Sequence, residues 1–256
     1  MKKLLIIIVV FTGVFAFFSG CKKLSVAEKK NKVFSLDYEA LGVIEGNTAR
    51  FIDYPRQLET WVKHDYYSEL TLPDGHIGVF GLNNHTVGVI KGKEIQFYEY
   101  GRQTRTWNAE KYTRFTLPEG HTDIFGFFDM LGVTHGNVLN MYFYDPDSGK
   151  WGNVVNFDLP AGFTGIIYVV DKLGVVTGST VRFYELAENG LKEEKSMQFT
   201  VPKGSTEFVG YGRNNHYNAN DMLGVVIGIE VHFYAYNDSV WQEVEKMKLN
   251  LQDGGK

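Results

Sequence analysis

Short runs of apolar residues, interrupted by glycine and polar residues, recur along the chain in a pattern typical of β-strands. Within residues 42–54, one apolar run ends at Gly46-Asn47, and a second run with alternating apolar and polar positions continues to Tyr54. Glycine at the first position of a two-residue turn permits the positive φ of a type II′ hairpin. The pattern therefore predicts a β-hairpin, and no helical period of 3.6 residues appears in residues 33–256.

This hairpin pattern occurs five times. Each copy begins with Leu-Gly-Val or Val-Gly-Val, at residues 41, 87, 131, 173 and 223, so the spacings are 46, 44, 42 and 50 residues. A large apolar residue follows ten positions later, namely Phe51, Phe97, Met141, Phe183 and Phe233. Copies one, two, three and five then contain a tryptophan, namely Trp61, Trp107, Trp151 and Trp241. Copy four has Leu191 near that place.

Each repeat contains enough apolar runs for four strands. The third run is followed by Leu-Pro or Val-Pro in the first four copies. Proline lacks the N–H that a sheet ladder needs, so we expect the third strand to end there. A fourth run, such as Ile77–Phe80, follows. Four strands in a repeat of about 45 residues are typical of a propeller blade. The sequence therefore predicts an all-β fold, a five-bladed β-propeller with four antiparallel strands per blade, over residues 33–256.

Two assignments of strands to blades remain open. If the fourth run is innermost, blades begin at residues 32, 76, 121, 163 and 205, and we prefer this assignment. A unit is then similar to the WD-repeat order and to five-bladed tachylectin-type lectins. If the Leu-Gly-Val run is innermost instead, Val33–Leu36 completes the last blade as a latch.

The repeated aromatic residues fit the packing of neighbouring blades. Burial of one large side chain contributes roughly 1.5–3 kcal/mol. We expect the repeated phenylalanines (Phe51, Phe97, Phe183 and Phe233) in the core. For the four tryptophans, burial and exposure remain open, because charged or polar residues flank them.

Residues 1–20 have the pattern of a signal peptide. Lys2 and Lys3 precede an apolar run over residues 4–18, and Ser19-Gly20-Cys21 follows. Phe18–Cys21 resembles the lipobox of bacterial lipoprotein precursors. The resemblance implies cleavage before Cys21 and acylation of this cysteine, which also explains a lone cysteine in an exported protein. An uncleaved membrane anchor and soluble secretion are the alternatives.

The residues after the cysteine predict where the protein is held. Residues 21–32 contain five lysines and no hydrophobic period, which indicates a basic tether beside membrane lipid. We expect an exported protein anchored to a bacterial membrane by acyl chains such as palmitate. Lys22 after the cysteine favours the outer membrane or cell surface within the same resemblance. A plain polar linker is the alternative for the tether.

Composition and charge exclude several classes of protein. Hydrophobic residues make up 44% of the 256 residues and charged residues 22%, which excludes a disordered chain and a protein with many membrane spans. The formal net charge of −4 gives no support for nucleic acid as a partner. We expect a monomer.

One loop departs from the repeat and is the strongest candidate for a ligand site. The spacing of 50 residues before the last copy comes from a longer and more polar version of the segment Asn83-Asn84-His85. Its amides, tyrosine and histidine can donate to and accept from hydroxyl groups; they are Asn214, Asn215, His216, Tyr217, Asn218 and Asn220. The alternative is a tolerated surface insertion.

Acidic residues recur two positions before the repeats begin. They are Glu39, Asp129, Asp171 and Asp221, with His85 at the same place in the second copy. Carboxylates related by a rotation axis converge on that axis, so these residues could form an axial polar ring that holds a cation or a polar ligand. We favour the alternative that they are turn residues bonded to local N–H groups, and expect no metal.

The sequence contains no motif for catalysis or for a cofactor. It lacks Gly-x-Ser-x-Gly, His-Glu-x-x-His and a phosphate-binding glycine loop, and His76 and His121 share a repeat position that indicates a turn role. We therefore predict a binding module, with a glycan or another small polar ligand as partner. The alternatives are a protein-interaction scaffold in envelope assembly and, less favoured, a propeller glycosidase.

Overall fold

The computed structural model describes residues 32–36, 40–55, 58–83, 85–127, 129–169, 172–187, 190–212 and 221–252. Within these ranges the chain forms five antiparallel sheets, each built from consecutive strands. The predicted five-bladed, four-stranded architecture is confirmed. Within the same ranges, no helix has the length and hydrophobicity needed to cross a membrane.

The five sheets follow one another along the chain. Blade 1 contains β1 (Val33–Leu36), β2 (Ala40–Glu45), β3 (Thr48–Asp53), β4 (Val62–Lys63) and β5 (Leu70–Thr71). Blade 2 contains β6 (Gly78–Asn83), β7 (Thr86–Lys91), β8 (Glu94–Gly101) and β9 (Thr106–Thr116). Blade 3 contains β10 (His121–Phe127), β11 (Met130–His135), β12 (Val138–Asp145) and β13 (Lys150–Asp158).

The last two blades repeat this order. Blade 4 contains β14 (Phe163–Val169), β15 (Lys172–Thr177), β16 (Thr180–Ala187) and β17 (Gly190–Thr200). Blade 5 contains β18 (Ser205–Gly212), β19 (Asp221–Ile227), β20 (Glu230–Asn237), β21 (Val240–Glu243) and β22 (Leu249–Asn250), with one turn of 3-10 helix at Glu245–Met247. In blades 1 and 5 the outer strand is split into two short pieces that pair with the same neighbour.

The first strands of the five blades surround the axis. β1 contacts β6, β6 contacts β10, β10 contacts β14, β14 contacts β18, and β18 contacts β1, so the ring is closed. Each blade is formed by one continuous stretch of chain. This confirms the assignment that we preferred, and the alternative in which Val33–Leu36 completes the last blade is wrong because β1 pairs with β2.

The hairpin turns have the predicted backbone. β2 and β3 are joined by Gly46-Asn47, and Gly46 has φ +59°. Gly178 in blade 4 has the same φ. Residues with a Cβ rarely adopt this region, so glycine at the first turn position is required by the backbone.

Stacked rings join neighbouring blades. Trp107 of blade 2 stacks on Phe51 of blade 1, with ring centroids 5.0 Å apart. The same pairing joins blades 2 and 3, 4 and 5, and 5 and 1, through Trp151 on Phe97, Trp241 on Phe183, and Trp61 on Phe233. All four phenylalanines are at most 1% exposed, so the expectation that they form the core is confirmed. The tryptophans lie between blades; Trp61 is buried at 6% exposure, and Trp107, Trp151 and Trp241 are half-buried.

Blades 5 and 1 close the ring without exchanging strands. The indole Nε1 of Trp61 donates to the carbonyl oxygen of Met247 at 2.9 Å. The Tyr54 hydroxyl donates to the carbonyl oxygen of Lys246 at 3.0 Å. Side chains of blade 1 thus satisfy backbone groups of the last blade, where two chain-distant sheets meet.

Candidate functional site

One face of the propeller carries the candidate residues whose side chains the structure describes. Strands alternate in direction, so the loops between first and second strands lie at the same face as the turns between third and fourth strands. We call this the loop face; in blade 2 its described residues are 83, 85–86 and 101–106, and in blade 3 they are 127, 129–130 and 145–150. Asn83, His85 and Asp129 belong to it.

Asn83 links two blades. Its side-chain amide donates to the Asp129 carboxylate of blade 3, and its Oδ1 accepts from the backbone N–H of His85 at 2.8 Å. Asp129 has φ +64°, a conformation that aspartate tolerates better than most residues. Both side chains therefore hold the turns in place, and of the described candidates His85 has the ring that faces a pocket.

A pocket of about 260 Å³ opens beside His85. The residues that line it all belong to blade 2 and are His85, Glu99, Tyr100, Gly101, Arg102 and Asn108. The backbone N–H of Tyr100 donates to the carbonyl oxygen of His85 at 2.8 Å, which fixes the loop against β8. Arg102 and Glu99 bring opposite charges to the rim, and both are exposed.

Hydrogen bonds orient the His85 ring. The Arg102 guanidinium contacts Nε2, and the Tyr67 hydroxyl lies 3.4 Å from Nδ1. A guanidinium can only donate, so Nε2 accepts and the proton of the neutral ring is on Nδ1, toward Tyr67. The imidazole is thus held between an arginine of its own blade and a tyrosine of blade 1.

Aromatic rings support the pocket from below. Tyr100 is 3% exposed, and its hydroxyl donates to the carbonyl oxygen of Tyr66 at 2.5 Å. Its ring lies 5.1 Å from the rings of Tyr67 and Trp107. Rigid rings with satisfied hydroxyls make a floor that does not need to rearrange when a ligand enters.

Sequence reasoning missed five of the six pocket residues, namely Gly101 and the four with functional side chains. Glu99, Tyr100, Arg102 and Asn108 come from the third and fourth strands of blade 2 and the turn between them. The order of strands in the blade could have predicted these residues. In the preferred assignment, residues near 101–106 must lie at the same face as His85.

Several candidates lie outside what the structure describes. They are Cys21, Glu39, Asn84, Asp171, Asn214, Asn215, His216, Tyr217, Asn218 and Asn220. Asp221 begins β19, and only its backbone is described. Ligand binding by the loop that contains Asn214–Asn220 and the axial polar ring therefore stay predictions. Among the described residues, no three His, Cys, Asp or Glu side chains are grouped closely enough to hold a metal ion.

Asp53 is a titratable group away from the pocket. Burial raises the pKa of its carboxyl above the usual range, and the nearby His64 partly offsets this effect. One of its carboxylate oxygens is buried without a hydrogen-bond partner. It lies at the end of β3 in blade 1, and we assign it no catalytic role.

Comparisons with known proteins give no family. No family model and no curated protein matches the chain. Among solved structures, Hsv2 of Kluyveromyces lactis is 14% identical with a TM-score of 0.43, over 83% of this chain and 62% of that chain. A functionally unknown protein from Desulfotomaculum acetoxidans is 12% identical with a TM-score of 0.43, over 82% of this chain and 67% of that one. The chain thus spans about three fifths of the Hsv2 structure.

Proposed function

We propose that the protein is a binding module that takes a small, hydroxyl-rich ligand such as a glycan in the pocket beside His85. The observation that carries this proposal is one polar pocket containing an arginine, a carboxylate, an amide and an oriented imidazole over an aromatic floor. A propeller fold is consistent with a binding or interaction module. Surface loops on a rigid scaffold are the usual place for such a site.

The chemistry of the rim favours a neutral ligand. Arg102 offers only donors and Glu99 only acceptors, while Asn108 offers both. Each sugar hydroxyl can donate and accept, so such a mixed set suits it. One positive and one negative side chain at the rim supply no net charge that would select a phosphate or a free carboxylate.

We expect Arg102→Ala to weaken binding of a glycan found on an array at least tenfold, because about 1.5–3 kcal/mol of charged hydrogen bonding is lost. Calorimetry on the purified protein measures the affinity. Arg114→Ala is the matched control, because this exposed arginine lies on the same blade, near the end of β9 and close to Glu94. Equal affinities for the two variants, or an array without any bound glycan, would contradict the proposal.

The longer polar loop is a further part of the proposal. We propose that residues 213–220 also contribute to binding of this ligand, since their amides repeat the chemistry of Asn83-Asn84-His85. A chain lacking residues 214–220 should show a weaker array signal than wild type. Recovery of a stoichiometric envelope protein from solubilised membranes, with no glycan bound, would favour the interaction-scaffold alternative instead.

We propose that Cys21 anchors the protein in a bacterial membrane, with the outer membrane or cell surface favoured. The support is the Ser19-Gly20-Cys21 sequence after an apolar run. Cys21→Ala should abolish incorporation of labelled fatty acid, while replacement of Ser25, outside the motif, should leave it unchanged. Equal labelling of the Cys21→Ala chain would show that the cysteine is not the acylated residue.

A further inference from the structure

The interface between blades 3 and 4 differs from the other four. Elsewhere a tryptophan of one blade packs against a phenylalanine of its neighbour, stacked at three interfaces and tilted by 36° between blades 5 and 1. Here Met141 of blade 3 occupies the phenylalanine position, and Leu191 of blade 4 occupies the tryptophan position. Both partners of the stack are therefore replaced at the same interface.

A second aromatic ring is also missing there. In blade 5 the tryptophan pairs across the strands with Tyr236, and the corresponding residues in blades 2 and 3 are Tyr100 and Tyr144. In blade 4 the same cross-strand pair is Leu186 and Leu191. Two leucines thus stand where the other blades place a phenol and an indole.

A hollow of about 380 Å³ lies between the two blades, and Met141 and Leu186 are among the residues that line it. We call it the 3–4 hollow; it is lined by Phe127, Met130, Met141, Val155, Phe157, Leu186 and Ala187. All seven lining residues are apolar. Phe157 corresponds to Phe115 and Phe199 of blades 2 and 4, whose rings meet a tryptophan of the next blade at 5.9 and 5.7 Å.

The 3–4 hollow opens toward the loop face. Phe127 ends β10 and Met130 begins β11, on either side of the first–second loop of blade 3. Ala187 ends β16 and is exposed. Met141 lies at the inner wall of the hollow and is 0% exposed.

We propose that the 3–4 hollow binds a neutral aromatic ring system of about the size of indole. The other interfaces identify the occupant, because four of the five place an aromatic ring from the next blade against this wall. The volume lies in the range of small-molecule pockets, and apolar cavities bind apolar rings of fitting size. A neutral ligand is favoured over an ionised one, because none of the seven lining side chains carries a charge or a hydrogen-bonding group that could pair with an ion. This site is separate from the His85 pocket and does not depend on it.

Methionine methyl groups provide a direct test. The chain has six methionines, of which Met130 and Met141 line the hollow, whereas Met197, Met222 and Met247 lie in other parts of the core. Indole is titrated into the full-length chain labelled with ¹³C at the methionine methyls. We expect the resonances of Met130 and Met141 to shift saturably and the other three to stay in place.

A filled variant separates binding in the hollow from adsorption elsewhere. Leu186→Tyr combined with Leu191→Trp restores the pair found in the other blades and should weaken the indole response at least tenfold. Leu58→Trp is the control, because it adds the same ring at a residue that is 59% exposed in blade 1. If the double variant does not fold, Leu186→Tyr alone serves the same purpose, because Leu186 lines the hollow.

Three results would overturn the proposal. The first is an absence of saturable shifts at Met130 and Met141 in the wild-type chain. The second is an equal response of all core methionines, which indicates general adsorption. The third is a stronger response to octanol than to indole, because an aliphatic chain would then be the preferred occupant.

Discussion

Replacement of Gly126 by alanine is expected to lower the free energy of unfolding by about 3 kcal/mol or more, at the upper end of overpacking effects. Gly126 lies on β10, next to the axis. A Cβ atom there would be 2.0 Å from the carbonyl oxygen of Gly81 and 2.5 Å from the Cα of Leu82. Both are backbone atoms of β6, so no rotamer change relieves the overlap and blades 2 and 3 must separate.

Denaturant unfolding followed by tryptophan fluorescence measures this loss, because tryptophans lie at four of the five blade interfaces. Gly165→Ala is the matched control on the first strand of blade 4. Its Cβ would be 3.8 Å from Val176 Cγ2, an ordinary contact, and its φ is not in the left-handed region. There the smaller entropy of the unfolded chain should stabilise the fold by roughly 0.4–1 kcal/mol. Equal effects of the two substitutions would contradict the close approach of β6 and β10.

The fold was predictable mainly because the sequence repeats with a regular period. Five copies of a four-run unit fixed the number of sheets and their strands, and Gly46 fixed the turn. The position of the axis could not be read from the repeat, because a cyclic pattern has no intrinsic starting point. It is decided by the pairing of Val33–Leu36 with Ala40–Glu45, which makes the run before the first repeat the first strand of blade 1.

The candidate site was predictable only in part. His85 was found because its loop is polar, but the partners that orient it are Tyr67, 18 residues earlier, and Arg102, 17 residues later. Their meeting depends on which turns share a face. Asn83 was also singled out, yet its amide is engaged with Asp129 of the next blade. Amino-acid type shows that a side chain can bind a ligand, but it does not show whether the fold has already used that side chain.

The 3–4 hollow illustrates the same limit. Leu191 and Met141 are visible in the sequence as two separate exceptions to the repeat, in different copies. They form one feature only when the tryptophan of each blade is known to stack on the phenylalanine of the preceding blade. Two exceptions to the repeat that attract no attention separately thus mark one candidate site, because both residues are smaller than their counterparts and lie at the same interface.

Replacement of Phe183 by alanine is expected to lower the free energy of unfolding by about 3–5 kcal/mol, as is usual for a fully buried phenylalanine. Its ring is 0% exposed and stacks on Trp241 at 5.2 Å, so truncation removes an anchor of the contact between blades 4 and 5. Denaturant unfolding monitored by circular dichroism measures the loss. Phe143→Ala, at a residue that is 44% exposed in blade 3, should change stability by less than 1 kcal/mol.

The outcome at Phe183 also bears on how the ring holds together. Each blade has no strand from another blade to hold it, so the interfaces depend on side-chain packing of the kind seen between Phe183 and Trp241. If Phe183→Ala is no more harmful than Phe143→Ala, the stacked pairs do not stabilise the ring. In that case the absence of such a pair between blades 3 and 4 would not make that interface weaker than the others. A large loss would show instead that the interface between blades 4 and 5 is stabilised by a ring that the interface between blades 3 and 4 lacks.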